Sequence, residues 1–163
     1  MTKVLVTGMS GTDKSSSLGE LSRRGYAVVD TDDPGWREYR EYAEPSDEVH
    51  RGEWLWVGER ITELLDTDDA RSLFVQGCVW NQAKFYDRFN AVVLLSAPAD
   101  VILDRIARRT TNAYGKTPVE RAMILDDLAR VEPLLREGCT HELDASRPLA
   151  DIVADLIAIA ASS

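Results

Sequence analysis

Gly8, Gly11, Lys14 and Ser15 lie in one short loop together with the small hydroxyl residues Ser10, Thr12 and Ser16. Glycines, hydroxyls and a lysine at this spacing are suited to binding phosphate. The pattern is that of a phosphate-binding loop, G-x-x-x-x-G-K-[ST], in which backbone N–H groups curl around an anion and the following helix adds the positive end of its dipole. Lys14 is placed to reach the β- and γ-phosphates of a nucleotide, and Ser15 to hold Mg²⁺ through its hydroxyl. Gly8 and Gly11 allow backbone conformations that other residues resist.

One position departs from the pattern. Asp13 stands where the second glycine belongs. It adds a Cβ where backbone should lie against phosphate, and a negative charge at an anion site. Two like charges 4 Å apart repel by up to about 4 kcal/mol at an effective dielectric near 20, roughly a thousandfold in affinity. An aspartate in the first turn of a helix is, on the other hand, locally stabilising. Asp13 is therefore expected either to weaken nucleotide binding or to fill the anion hole itself.

Further candidates follow the later strands. Asp30 and Asp32, with Asp33, come directly after the second strand, at the edge where ligands sit in an open α/β sheet. Asp30 is expected to serve Mg²⁺ with Ser15, and Asp32 to orient or deprotonate an acceptor hydroxyl. After the third strand come Gly77, which can let a ligand approach the backbone, then Cys78, Asn81 and Gln82 as acceptor contacts. That strand lacks the terminal aspartate that often supports the metal. Arg105, Arg108 and Arg109 end a helix just before the loop TTNAYGK, where arginines can neutralise a transferring phosphoryl group. Trp36, Trp54, Trp56, Tyr39 and Tyr42 offer either a stacking wall for an acceptor or a satellite core. The spacing of Trp54 to Ile61 and Leu65 reads as helical. Arg37, Arg40 and Arg60 are candidates for reading an acceptor's charge. Arg147 lies in the DASRP loop, where an adenine can rest. His50 and His141 look isolated.

The elements that must position these residues alternate strand and helix, which predicts a parallel sheet with helices on both faces. Strands are expected at Lys3–Thr7, Tyr26–Asp30, Ser72–Gln76, Ala91–Leu95 and His141–Leu143. Helices are expected at Lys14–Arg24, Glu53–Leu65, Pro98–Arg109, Pro118–Arg136 and Leu149–Ala160. Thr117 and Glu120 form a capping box with Pro118 at the first helical position, and Pro133 should kink or end its helix. The chain reads as one domain over 1–163, with an acceptor-binding insert at about 31–66 and a lid at about 109–117.

Composition narrows the partners. A net charge of −9 argues against nucleic acid or an anionic membrane. The C-terminal apolar run is broken by Asp155 and is too short to span a bilayer. Two distant cysteines, with no leader-like N-terminus, predict a cytoplasmic protein. The expected partner is a small-molecule acceptor, and the oligomeric state a monomer or homodimer.

Taken together, GMSGTDKSS, the Asp30-x-Asp32 pair, the Gly77 region, the arginine-rich TTNAYGK stretch and DASRP resemble the small P-loop kinases of the shikimate kinase, gluconate kinase and nucleoside monophosphate kinase group. The resemblance extends over nearly the whole chain in element order. It implies a three-layer α/β P-loop fold with a five-stranded parallel sheet in the order 2-3-1-4-5, ATP and Mg²⁺ as cofactors, and phosphoryl transfer to a hydroxyl of a nucleoside, sugar or antibiotic-like molecule. In that group the first carboxylate of the DxD pair supports Mg²⁺ and the second contacts the acceptor. Asp13 departs from the group's pattern. It leaves a non-catalytic P-loop binding protein as the alternative.

Overall fold

The computed structural model describes residues 2–46, 50–110 and 112–163. Small parts of the expected insert and lid, residues 47–49 and 111, lie outside the described residues. The parallel sheet is built from β1 (Lys3–Thr7), β2 (Ala27–Asp30), β5 (Leu73–Gln76), β6 (Ala91–Ser96) and β7 (His141–Asp144). Two further strands, β3 (Arg37–Glu41) and β4 (Gly52–Trp56), form a separate antiparallel hairpin. The helices are α1 (Lys14–Arg23), α2 (Gly58–Asp66), a 3₁₀ helix (Gln82–Arg88), α3 (Ala99–Arg108), α4 (Pro118–Gly138) and α5 (Leu149–Ser162).

The sheet order is β2-β5-β1-β6-β7, and all its neighbours pair in parallel. Leaving the hairpin strands out of the count, this reads 2-3-1-4-5. Val4, Val6, Phe74, Val93 and Leu95 face α1 and α5 on one side, where Leu18, Leu21, Ile152 and Leu156 complete a buried cluster. Leu5, Leu73, Val75 and Val92 face the other side and pack with Trp56, Ile61 and Leu65. The central strands are therefore apolar on both faces, as a covered parallel sheet requires. The same packing brings the C-terminal ends of β1, β2 and β5 to one edge.

Two expectations about local structure give way. The helix expected from Glu53 begins only at Gly58, because residues 52–56 pair with β3 in the register Arg37↔Trp56 to Glu41↔Gly52. Trp54 is thus a strand residue, 41 % exposed, and its helical spacing to Ile61 and Leu65 has no meaning. Its partners are Tyr39, edge-on with ring centroids 5.3 Å apart, and the Arg37 guanidinium, 4.0 Å from its ring centre. Such cross-strand pairs hold a hairpin whose first strand is almost wholly exposed. The second is an end of the helix at Pro133: α4 continues through it to Gly138. Pro133 and Ala129 are both exposed, so the carbonyl that loses its helical partner faces solvent. Buried Leu135 and the Arg136 ion pairs to Glu132 and Glu142 hold the last turns. The capping box at Thr117 and Glu120 forms as read.

Gly77 is needed for packing. A Cβ there would run into Thr31 Oγ1 and come within 3.1 Å of the Trp56 ring. The space expected for a ligand is filled by the protein itself. Gly77→Ala is expected to destabilise the fold by about 1–3 kcal/mol through overpacking, read from the urea midpoint at unchanged slope.

Candidate active site

The phosphate loop joins the end of β1 to α1. Gly11 has φ 81° and packs against α3, where a Cβ would meet the Ile102 carbonyl at 3.0 Å. A Cβ on Gly8 would meet the Leu95 carbonyl oxygen. Thr12 is buried and its hydroxyl donates to Met9 O at 2.8 Å, so it braces the loop.

Asp13 is the only described non-glycine residue with positive φ (φ 66°, ψ 28°). It sits at the N-cap of α1, before the first turn, and its side chain makes no capping bond. Aspartate tolerates this left-handed conformation better than most residues, which explains how the loop keeps its shape without glycine. Its Oδ2 lies 3.4 Å from Arg105 Nη2, and Arg105 Nη1 donates to Gly11 O at 3.3 Å. Arg105 therefore ties α3 to the loop.

Lys14 Nζ donates to Gly8 O at 2.7 Å and Met9 O at 2.9 Å. Burial pushes its pKa below the ordinary lysine value, opposed by Cys78, Asp32 and Asp30. Ser15 Oγ donates to Asp30 Oδ2 at 3.3 Å. Asp30 Oδ1 accepts from Asp32 N at 2.9 Å and from the Gln76 side-chain amide. The other amide atom, Gln76 Oε1, is buried without a hydrogen-bond partner among the described residues. The Ser15 hydroxyl and the Asp30 carboxylate are hard oxygen donors that fit a hydrated Mg²⁺. The sequence gives no sign that Gln76 contacts Asp30, because an amide at the end of that strand carries no metal-binding signature.

Ser10, Gly11, Asp13, Lys14, Ser15, Ser16, Asp32, Arg105 and Arg109 line one cleft with Asn112. Arg109 Nη2 donates to Tyr114 O at 2.7 Å, which fastens the loop after α3. Beside it opens a larger cleft of about 730 Å³, shared at Ser10, Lys14, Asp32 and Asn112. Its walls are the hairpin (Arg37, Tyr39, Trp54), Cys78 and Trp80 after β5, Tyr114, and Asp127 and Arg130 of α4. Asp32 Oδ1 lies 3.3 Å from Arg37 Nη1. His50 is not isolated. Its Nε2 lies 3.4 Å from Asp126 Oδ2 and 3.7 Å from Asp127 Oδ1, linking the chain before β4 to α4. These α4 partners were missed because they lie more than 70 residues away in sequence.

Other expected residues fall elsewhere. Trp36 and Arg60 stack on each other 4.4 Å apart, and neither lines the large cleft. Asn81 donates to Trp56 O and accepts from Trp56 N, which caps the end of β4. Gln82 is buried, with both ends of its amide bonded to protein. Arg108 is largely exposed and pairs with Asp104 of its own helix. Arg147 pairs with Asp155 of α5 at 2.7 Å and donates to Asp144 O. Gly77, as described, faces Thr31 and Trp56.

A parallel α/β sheet with a lysine-bearing glycine loop at its C-terminal edge and a carboxylate-and-hydroxyl pair beside it defines the small P-loop class, the fold of the shikimate kinase and gluconokinase group. The family model described as AAA domain matches residues 4–126, and the chain belongs to that family. It is 28 % identical to shikimate kinase 2 of Yersinia enterocolitica over 97 % of this chain and 95 % of that protein. Its fold is similar to a gluconokinase from Sinorhizobium meliloti, with TM-score 0.64, 21 % identity and coverage of 99 % and 92 % of the two chains. It is likewise similar to shikimate kinase from Acinetobacter baumannii in complex with shikimate, with TM-score 0.62, 17 % identity and coverage of 99 % and 94 %.

The lowered pKa of Lys14 has a consequence for any bound phosphate. Binding needs the charged ammonium, and in the free protein burial shifts the loss of that charge to lower pH. Affinity for a nucleoside triphosphate is therefore expected to fall as pH rises, starting below the ordinary lysine range near 10.5. Calorimetric titrations across pH check this, and Lys14→Ala should bind weakly with no such alkaline limb.

Proposed function

We propose that the protein transfers the γ-phosphoryl group of ATP to a hydroxyl of a small molecule. The observation that carries this reading is the placement of Asp32. Its residue lines both the phosphate cleft and the large neighbouring cleft, beside Lys14. A hydroxyl bound in the large cleft can give its proton to Asp32 as its oxygen attacks the γ-phosphorus. The bond from that phosphorus to the bridging oxygen breaks, and ADP leaves. Lys14, Arg105 and Arg109 draw charge from the transferring group, and the loop amides hold the β- and γ-phosphates. Ser15 and Asp30 would hold Mg²⁺, which supplies charge neutralisation between those phosphates. The shikimate kinase and gluconokinase names of the relatives support a kinase of hydroxylated small molecules. A nucleoside, sugar or antibiotic-like acceptor suits the aromatic walls. The two free cysteines and the acidic surface suit work in the cytoplasm, and among the described residues no helix is long and apolar enough to cross a membrane.

Asp13 modulates this activity. Its charge is partly exposed and already faces Arg105, which lowers the full like-charge cost. A nucleotide still has to compete with Asp13 for that arginine. Asp13→Gly is expected to bind ATP–Mg²⁺ about tenfold more tightly than the natural chain, measured by calorimetry. Removing Arg105 should cost the Asp13→Gly form more affinity than the natural chain, because only there is the guanidinium fully available. Failure of both forms to bind ATP–Mg²⁺ would sink the kinase reading and leave the non-catalytic P-loop protein.

A further inference from the structure

A second cavity, of about 520 Å³, lies between the 3₁₀ helix and α4. Its apolar walls include Met9, Val79, Ala83, Tyr86, Val131 and Leu135. It adjoins the large cleft, since Met9, Cys78, Trp80 and Asp127 line both. Trp80 and Leu134 border it with about half of their surfaces exposed (52 % and 53 %). Apolar groups of this size left open beside a reaction centre are a binding feature rather than a packing one.

The polar groups of the chamber turn inward. Gln82 Oε1 accepts from Val79 N at 2.9 Å, and its Nε2 donates to Thr7 Oγ1 at 3.0 Å and to the Tyr86 hydroxyl at 2.8 Å. Burial pushes the Cys78 thiol up, which keeps that wall uncharged at neutral pH. Of the two carboxylates on the lining, Asp127 stands at the junction with the large cleft and faces His50, and Glu137 is exposed. The wall next to Met9 and Cys78 therefore offers contact area and little hydrogen bonding. A small polyhydroxylated acid would gain nothing from it.

We infer that this chamber is a subsite for the apolar part of the acceptor, whose hydroxyl lies at Asp32. The acceptor class is then an alcohol carrying an aromatic or branched aliphatic group, larger and more amphiphilic than a simple sugar acid. The inference rests on the kinase reading for the orientation of the hydroxyl, while the chamber's affinity for an apolar group can be measured without it.

The probes are 3-phenyl-1-propanol and 1-propanol, titrated into the full chain and followed by the Trp80 indole N–H resonance, assigned with Trp80→Phe. The phenyl compound is expected to bind at least about tenfold more tightly, the order expected for burying one aromatic ring. Ala83→Trp starts from an exposed position and should fill the chamber. Leu134→Glu puts a charge on the opposite wall. Both variants should erase the preference for the phenyl compound while leaving ATP–Mg²⁺ binding unchanged. Equal, weak binding of both alcohols, or a preference that survives in both variants, would overturn the inference. Loss of ATP–Mg²⁺ binding in the natural chain and in Asp13→Gly, with the phenyl preference intact, would instead strike the kinase reading and leave the chamber as a binding site.

Discussion

One buried hydroxyl joins the parts of this site. Thr31 Oγ1 donates to Gln76 O at 2.8 Å and accepts from the Trp56 indole at 2.9 Å. It thereby ties the end of β2 to the end of β5 and to the last residue of the hairpin. Asp30 and Asp32 flank it, so both carboxylates take their positions from this contact. The side chain is fully buried, and breaking its bonds would leave polar groups unsatisfied where water cannot replace them. Gly77 supplies the room for this arrangement by having no side chain.

A second constraint acts across the phosphate loop. Position 13 must take a left-handed backbone, and this chain meets that need with a charged residue instead of glycine. The charge is then answered by Arg105 from α3, the same helix whose Ile102 carbonyl packs on Gly11. Loop shape and the α3 arginine are coupled through this ion pair and the Arg105 bond to Gly11 O. Because the pair is partly exposed, it is a modest interaction. The unusual residue is thus compatible with an intact loop.

The hairpin shows why some of the site could not be read from the chain. Residues 37–41 are nearly all polar and exposed, so neither a two-residue nor a helical period marks them as a strand. Their pairing depends on cross-strand contacts between Tyr39 and Trp54 and between Arg37 and Trp54. The period suggested by Trp54, Ile61 and Leu65 is a coincidence of spacing across a strand–helix boundary. Trp36 and Arg60 carry residue types suited to an acceptor, but they satisfy each other by stacking. His50 looked isolated because Asp126 and Asp127 are brought to it only by the packing of α4.

The sequence by itself determined the loop chemistry, the alternation of strands and helices, and the carboxylates after β2. Those features are local: a glycine–lysine–serine spacing, a capping box or a run of buried β-branched residues acts within a few positions of itself. Only the tertiary structure decided that Asp13 faces Arg105, that Gln76 has an orphaned oxygen next to Asp30, and that Asp32 borders two clefts. Each of those facts depends on side chains from different strands and helices meeting at one sheet edge. Pairings between residues 46 to 92 positions apart leave no periodic trace in the chain, because their geometry comes from how the layers pack.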